Sequence, residues 1–173
     1  MRLVLRTLVL VLVLAAGYHF LGPAIDRAFY TMRLAAMPKP ERLPVPVQGV
    51  TPRALRDTWD GARSEGRRHE GIDIFARRGT PVVSSTEGIV TQVGTNRLGG
   101  LVVWVMGPGR QHHYYAHLDR YADVEAGMRV APGRVLGYVG TTGNAKGTPP
   151  HLHYGVYEVR GAINPYPLLR PGA

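Results

Sequence analysis

Seven histidines occur in this 173-residue chain, and six of them fall in three short segments: "RRHEGIDIF", "QHHYYAHLD" and "TPPHLHYGVYE". In an extended strand, residues two apart project to the same face. His151 and His153 therefore stand side by side, with Leu152 turned to the opposite face, and spacing alone makes both of them candidate metal ligands. His69 and Asp73 lie four apart with Gly71 between them, where a glycine permits a bend or a close backbone approach. An imidazole and a carboxylate on one face can converge on a cation. In the middle segment, alternation puts His113, Tyr115 and His117 on one face and His112 and Tyr114 on the other. Each segment alone also has the composition of an ordinary solvated loop or strand. The combination in one short region, with an acidic residue beside one histidine, points to metal chemistry.

The elements that must position these groups are short. "GIDIF", "TPVVSS", "GIVTQVG", "LVVWVM", "QHHYYAHL", "RVLGYVG" and "HLHYGVYEV" are rich in β-branched and aromatic residues and bounded by turn residues. No long amphipathic helical period follows Trp59, so residues 49–173 are expected to form one all-β, antiparallel domain, a sheet or sandwich. "TPRALRDTW" is expected to open a short helix with Thr51 as N-cap and Pro52 first. The tail "INPYPLLRPGA" reads as a proline-limited strand exit. Residues 27–48, with four prolines from Pro38 to Pro46, read as an extended, semi-rigid linker.

The opening "MRLVLRTLVLVLVLAAGYHFLGPAI" carries two arginines and then no formal charge from Thr7 to Ile25. At about 1.5 Å per residue such a helix roughly spans a bilayer core of about 30 Å. Residues 1–26 are read as a signal-anchor transmembrane helix with Arg2 and Arg6 on the cytoplasmic side. The alternative is a signal peptide cut at Ala15-Ala16-Gly17. Both put the domain outside the cytoplasm: periplasmic in a Gram-negative envelope, or secreted if the segment is cleaved. His19 in this run is assigned no role. The net charge of +9 and a pI near 10.3 favour polyanionic surroundings. The arginines form no stripe interleaved with aromatics, so no nucleic-acid partner is expected. The absence of cysteine excludes disulfides, thiolate metal sites and a cysteine nucleophile.

"HEGIDIFARRGTPV", "YYAHLD", "GMRVAPGRVLGYVGTTGNAKGTPPHLHYGVY" and the closing "NP" resemble, in order and over roughly Leu55 to Leu169, the lysostaphin/LytM family of zinc metallo-endopeptidases. The resemblance implies a lysostaphin/LytM-type antiparallel β domain that hydrolyses peptide cross-links or stem peptides of bacterial peptidoglycan, with one zinc ion per chain. It implies His69, Asp73 and His153 as zinc ligands and His117 and His151 as catalytic residues, so the metal-ligand reading of His151 yields to it. His112 and His113 match no functional position. "HLHYGV" departs from the commonest pattern in having Tyr154 and then Gly155 where a glutamate is frequent. Tyr114, Tyr115 and Tyr154 read as packing residues, and "RLGGLVVWVMGPG" and "TTGNAKGTPP" as loops or strand edges flanking the site. In a Gram-negative envelope the expected bonds are D-Ala to meso-diaminopimelate links. The alternative within the family is a non-hydrolytic peptidoglycan-binding activator of a partner amidase.

Overall fold

The computed structural model describes residues 2–172; Met1 and Ala173, the outer ends of the expected anchor and domain, lie outside them. Two compact units are present, divided between Arg33 and Leu34. Helix α1 (Arg2–Ala36) makes up the first as far as Arg33 and ends in the second, and its Arg6–Ala36 stretch is long and apolar enough to cross a membrane. Leu8, Leu10, Leu12 and Phe20 of this helix are exposed. An exposed apolar stretch of this length suits a lipid environment.

The second unit is an antiparallel β domain of nine strands, two more than the seven expected. They are β1 (Ile72–Phe75), β2 (Pro81–Val83), β3 (Gly88–Asn96), β4 (Gly100–Met106), β5 (His112–Tyr121), β6 (Arg129–Val130), β7 (Val135–Val139), β8 (His151–Glu158) and β9 (Gly161–Ile163). The main path runs β1-β8-β5-β4-β3-β6, with β7 joining β2 to β5 and β9 beside β8. The additional strands β6 and β9 are only two and three residues long, too short to show an alternating pattern in sequence. A short helix, α2 (Tyr166–Leu169), replaces the expected strand exit and buries Leu169. The expected helix after Thr51 is a single 3-10 turn, Pro52–Ala54, and the Thr51 side chain makes no capping bond.

Strand alternation sets one face against the core. Ile72 and Ile74 of β1, Val103 and Val105 of β4, and Leu152, Tyr154 and Val156 of β8 are all fully buried. Each such aliphatic side chain contributes roughly 1.5–3 kcal/mol by leaving water. Asp73, His151 and His153 alternate with them and face the other way, where a cleft opens.

Residues 27–36 of the expected spacer are helical, as the end of α1, and from residue 37 the segment is extended but bound to the β domain. Leu43 and Val47 are buried in the core cluster. The Leu43 N–H donates to the Leu168 carbonyl (2.8 Å), Gln48 N–H to Pro81 (3.0 Å), and Val83 N–H to the Pro46 carbonyl (2.9 Å). Lys39 pairs with Glu158 at 2.5 Å. Prolines leave the chain without donors, but its carbonyls and apolar side chains still cover the edge of the β2–β7 pair.

Candidate metal centre and active site

Strands β1 and β8 are adjacent and antiparallel, and their register sets Asp73 directly opposite His153. His69 precedes β1 and is anchored by its own backbone: its N–H donates to the Gly61 carbonyl (2.9 Å) and its carbonyl accepts from the Asp60 N–H (2.9 Å). Its ring reaches over the strand pair. His69 Nε2 lies 2.8 Å from His153 Nδ1 and 3.1 Å from Asp73 Oδ1, which is itself 3.4 Å from His153 Nδ1. Gly71 makes this closeness possible. A Cβ there would stand 2.6 Å from the Tyr154 carbonyl and 2.8 Å from the His153 ring, nearer than atoms pack.

The donor set fits a divalent metal. His69 Nδ1–H donates to the Thr58 carbonyl at 2.6 Å, which fixes the tautomer and leaves a lone pair on Nε2, the arrangement usual for a ligating histidine. That lone pair, a second imidazole nitrogen and a carboxylate oxygen then face one another. Only a proton or a cation can satisfy all three. Burial would by itself raise the Asp73 carboxyl, but its hydrogen bonds with His153 and His69 outweigh it and hold the group well below the usual carboxylate range. Burial pushes His153 down, which keeps its imidazole neutral and available as a ligand.

Two more histidines border the cluster. His151 donates Nδ1–H to the Pro149 carbonyl (2.8 Å) and His117 donates Nδ1–H to the Thr142 carbonyl (2.9 Å). In the neutral ring each of these bonds leaves the lone pair on Nε2. The two rings stand 5.1 Å apart, edge to face, and His151 Nε2 lies 3.9 Å from Asp73 Oδ1. Burial, with a smaller contribution from the neighbouring His153 and His151, pushes His117 down to about 4. It is a neutral base at ordinary pH.

His117 corrects the face expected from alternation. His113 and Tyr115 are buried in the core, whereas His117 lines the cleft with Tyr114. The reason is local. Residues 112–116 of β5 pair with β8, and Leu118 onward pairs with β7. At this change of partner His117 takes a left-handed backbone (φ 62°) and its N–H leaves the ladder to bond the Gly99 carbonyl (2.7 Å). The bulge reverses the side chain. A non-glycine residue at positive φ is strained, and such residues cluster at functional sites.

The cleft has a volume of about 1050 Å³ and is lined by His69, Asp73, His117, His151 and His153 together. Leu98 and Gly99, and Asn144, Ala145, Thr148 and Pro149, also line it, as expected for the flanking loops, and the two segments meet where the Asn144 N–H donates to the Leu98 carbonyl (2.9 Å). Tyr115 and Tyr154 are core residues, but Tyr114 stands edge-on to the His153 ring at 5.7 Å and joins Trp104 and Tyr157 in the cleft. His113 is fully buried, its Nδ1 2.8 Å from the Tyr154 hydroxyl, and does not line the cleft. Sequence reasoning missed Thr58, Thr142 and Arg63, whose guanidinium bonds Asp73 Oδ2 at 2.6 Å. No motif marks them, because two of the three contacts use backbone carbonyls and the third comes from a loop of mixed charge.

Residues 67–165 match the family described as peptidase family M23. The chain belongs to peptidase family M23. It is 42% identical over 139 residues to the L-Ala–D-Glu endopeptidase of Bacillus subtilis, covering 73% of this chain and 42% of that protein. It is 36% identical over 105 residues to a DD-carboxypeptidase/endopeptidase of Neisseria meningitidis, covering 61% of this chain and 24% of that one. The chain thus spans less than half the length of these curated relatives. Its fold superposes on the catalytic domain of the antimicrobial peptidase lysostaphin from Staphylococcus simulans with a TM-score of 0.60 and 27% identity, covering 67% of this chain and 92% of that domain. The M23 chain shares with lysostaphin the antiparallel sheet that carries its His-Asp-His cluster.

Proposed function

We propose that this M23 chain is a zinc-dependent endopeptidase that hydrolyses peptide bonds in the stem peptides or cross-links of peptidoglycan. The observation that carries this reading is the convergence of His69, Asp73 and His153 to within 4.8 Å of one another, with two further histidines on the border of the same cleft. His69 Nε2, Asp73 Oδ1 and His153 Nδ1 would hold one zinc ion. Zinc there would supply Lewis acidity, polarising a carbonyl and acidifying water.

The remaining work falls to this chain's own groups. His117 and His151 each present a lone pair at Nε2 with Nδ1–H tied to a backbone carbonyl. Either can accept a proton at Nε2, and the backbone acceptor then stabilises the imidazolium. A histidine so charged can donate to a developing oxyanion or return its proton to the leaving amine. The walls of the cleft would seat an extended peptide. α1 would anchor the chain in the membrane with the β domain outside the cytoplasm. The name of the Bacillus relative puts the L-Ala–D-Glu bond beside the D-Ala–diaminopimelate link among candidate substrates.

The test is a muropeptide profile by mass spectrometry. Peptidoglycan is incubated with the full chain in detergent micelles and zinc, beside His69→Ala and His117→Ala. The expected result is loss of cross-linked or full-length stem species with the unmutated chain only, and the product masses identify the bond. His69→Ala should lose zinc together with hydrolysis, whereas His117→Ala should lose hydrolysis and keep zinc. An unchanged profile with the zinc-loaded chain would overturn the reading in favour of the non-hydrolytic activator, which no observation favours at present.

A further inference from the structure

The Asp73 carboxylate is divided between two environments. Oδ1 faces the histidine cluster, 3.1 Å from His69 Nε2 and 3.4 Å from His153 Nδ1. Oδ2 points the other way and accepts a charge-assisted hydrogen bond from Arg63 at 2.6 Å. Arg63 is not loosely placed. Its N–H donates to the Arg67 carbonyl (2.9 Å), and the adjacent Ala62 forms a bridge with Arg68, so residues 62–68 make a small closed loop against the segment that carries His69. The other arginines at this end of the cleft have their own partners: Arg68 pairs with Asp60, and Arg97 and Arg67 with Glu65. Arg63 is the one turned to the carboxylate of the cluster, and it lies before the residues that match the family.

We propose that Arg63 is a positioning residue that holds Oδ2 so that Asp73 presents Oδ1 alone to the metal. The inference rests on the metallopeptidase reading above. Turning the carboxylate to offer both oxygens would break a short guanidinium–carboxylate bond, among the stronger hydrogen bonds a protein makes. A carboxylate restricted to one oxygen keeps the donor set at three, and a catalytic zinc site needs a fourth position open. Partners of this kind tune a site through its ligand, and losing one typically costs about 10–100-fold in metal affinity or activity. Because the contact uses one guanidinium nitrogen, a lysine ammonium can replace it in kind.

The experiment is a cobalt(II) titration of the full chain in detergent micelles, read by its visible absorption, for the unmutated protein, Arg63→Met and Arg63→Lys. Circular dichroism of the metal-free proteins checks folding, and Arg63→Gln stands in if Arg63→Met does not fold. The unmutated chain and Arg63→Lys should give the same band intensities. Arg63→Met should give weaker bands, the mark of a higher coordination number, with about 10–100-fold weaker binding. A folded Arg63→Met with the unmutated spectrum and affinity would overturn the proposal. So would loss of hydrolysis with spectrum and affinity unchanged, since Arg63 would then act on substrate. If the unmutated chain binds no cobalt, the metallopeptidase reading fails as well, and that result is distinct from the other two.

Discussion

Acidification should destabilise this domain through a histidine that the active site does not use. His113 is fully buried between Ser85 and Tyr154, and its Nε2 has no hydrogen-bond partner among the described residues. Burial, with a smaller contribution from His112, pushes it from 6.5 down to about 3. In the unfolded chain it protonates near 6.5, so between these two values the unfolded state binds the extra proton. Stability is therefore complete above pH 6.5 and lost as the pH falls toward 3. One pKa unit is worth about 1.36 kcal/mol, so the fall from 6.5 to pH 5 costs on the order of 2 kcal/mol at this one residue. The assay is urea unfolding of the full chain in detergent micelles with chelator present, at pH 8 and pH 5, for the unmutated protein and His113→Phe. Phenylalanine removes the titrating group, and Tyr154 retains Ser85 Oγ at 2.6 Å as a partner. His117 shifts in the same direction, but it is common to both proteins and cancels in the comparison. The unmutated protein should lose about 2 kcal/mol more than the variant between the two pH values. Equal losses would refute the assignment of His113 as a buried neutral imidazole.

Two further perturbations test how the cluster is held. Gly71→Ala places a methyl 2.6 Å from the Tyr154 carbonyl and 2.8 Å from the His153 ring, so β1 and β8 must part; we expect about 1–3 kcal/mol of destabilisation and weaker zinc binding, measured by thermal melts and chelator competition. An unchanged melt and affinity would show that the strands part freely. Thr58→Val removes the hydroxyl that accepts the Asp73 N–H at 2.9 Å and should cost about 1–3 kcal/mol in chemical unfolding, whereas no loss would mean that water serves that donor.

Much of the site was legible because it is local. A period of two puts His151 and His153 on the cleft face and Leu152 in the core, and the strands that flank them are apolar enough to be recognised singly. The apolar opening segment announces its helix by composition, and the family motifs name a ligand set whose members do meet. What sequence could not decide depends on partners distant along the chain. His117 leaves its expected face because β5 changes neighbour from β8 to β7, and strand exchange leaves no trace in a local alternation. The proline-rich segment has no period to read, so only the assembled sheet edge shows that Leu43 and Val47 belong to the core. His112 and His113 look alike in sequence, yet the sheet buries His113 fully and leaves His112 partly exposed. Thr58 and Arg63 carry no motif, because a carbonyl or a guanidinium acquires its role only when the fold brings a histidine or a carboxylate to it. Residue types and short-range periodicity determined which groups were available for chemistry. The tertiary structure decided which nitrogen, which oxygen and which charge meet, because those distances are set by strand register and loop closure across as many as 84 residues of chain.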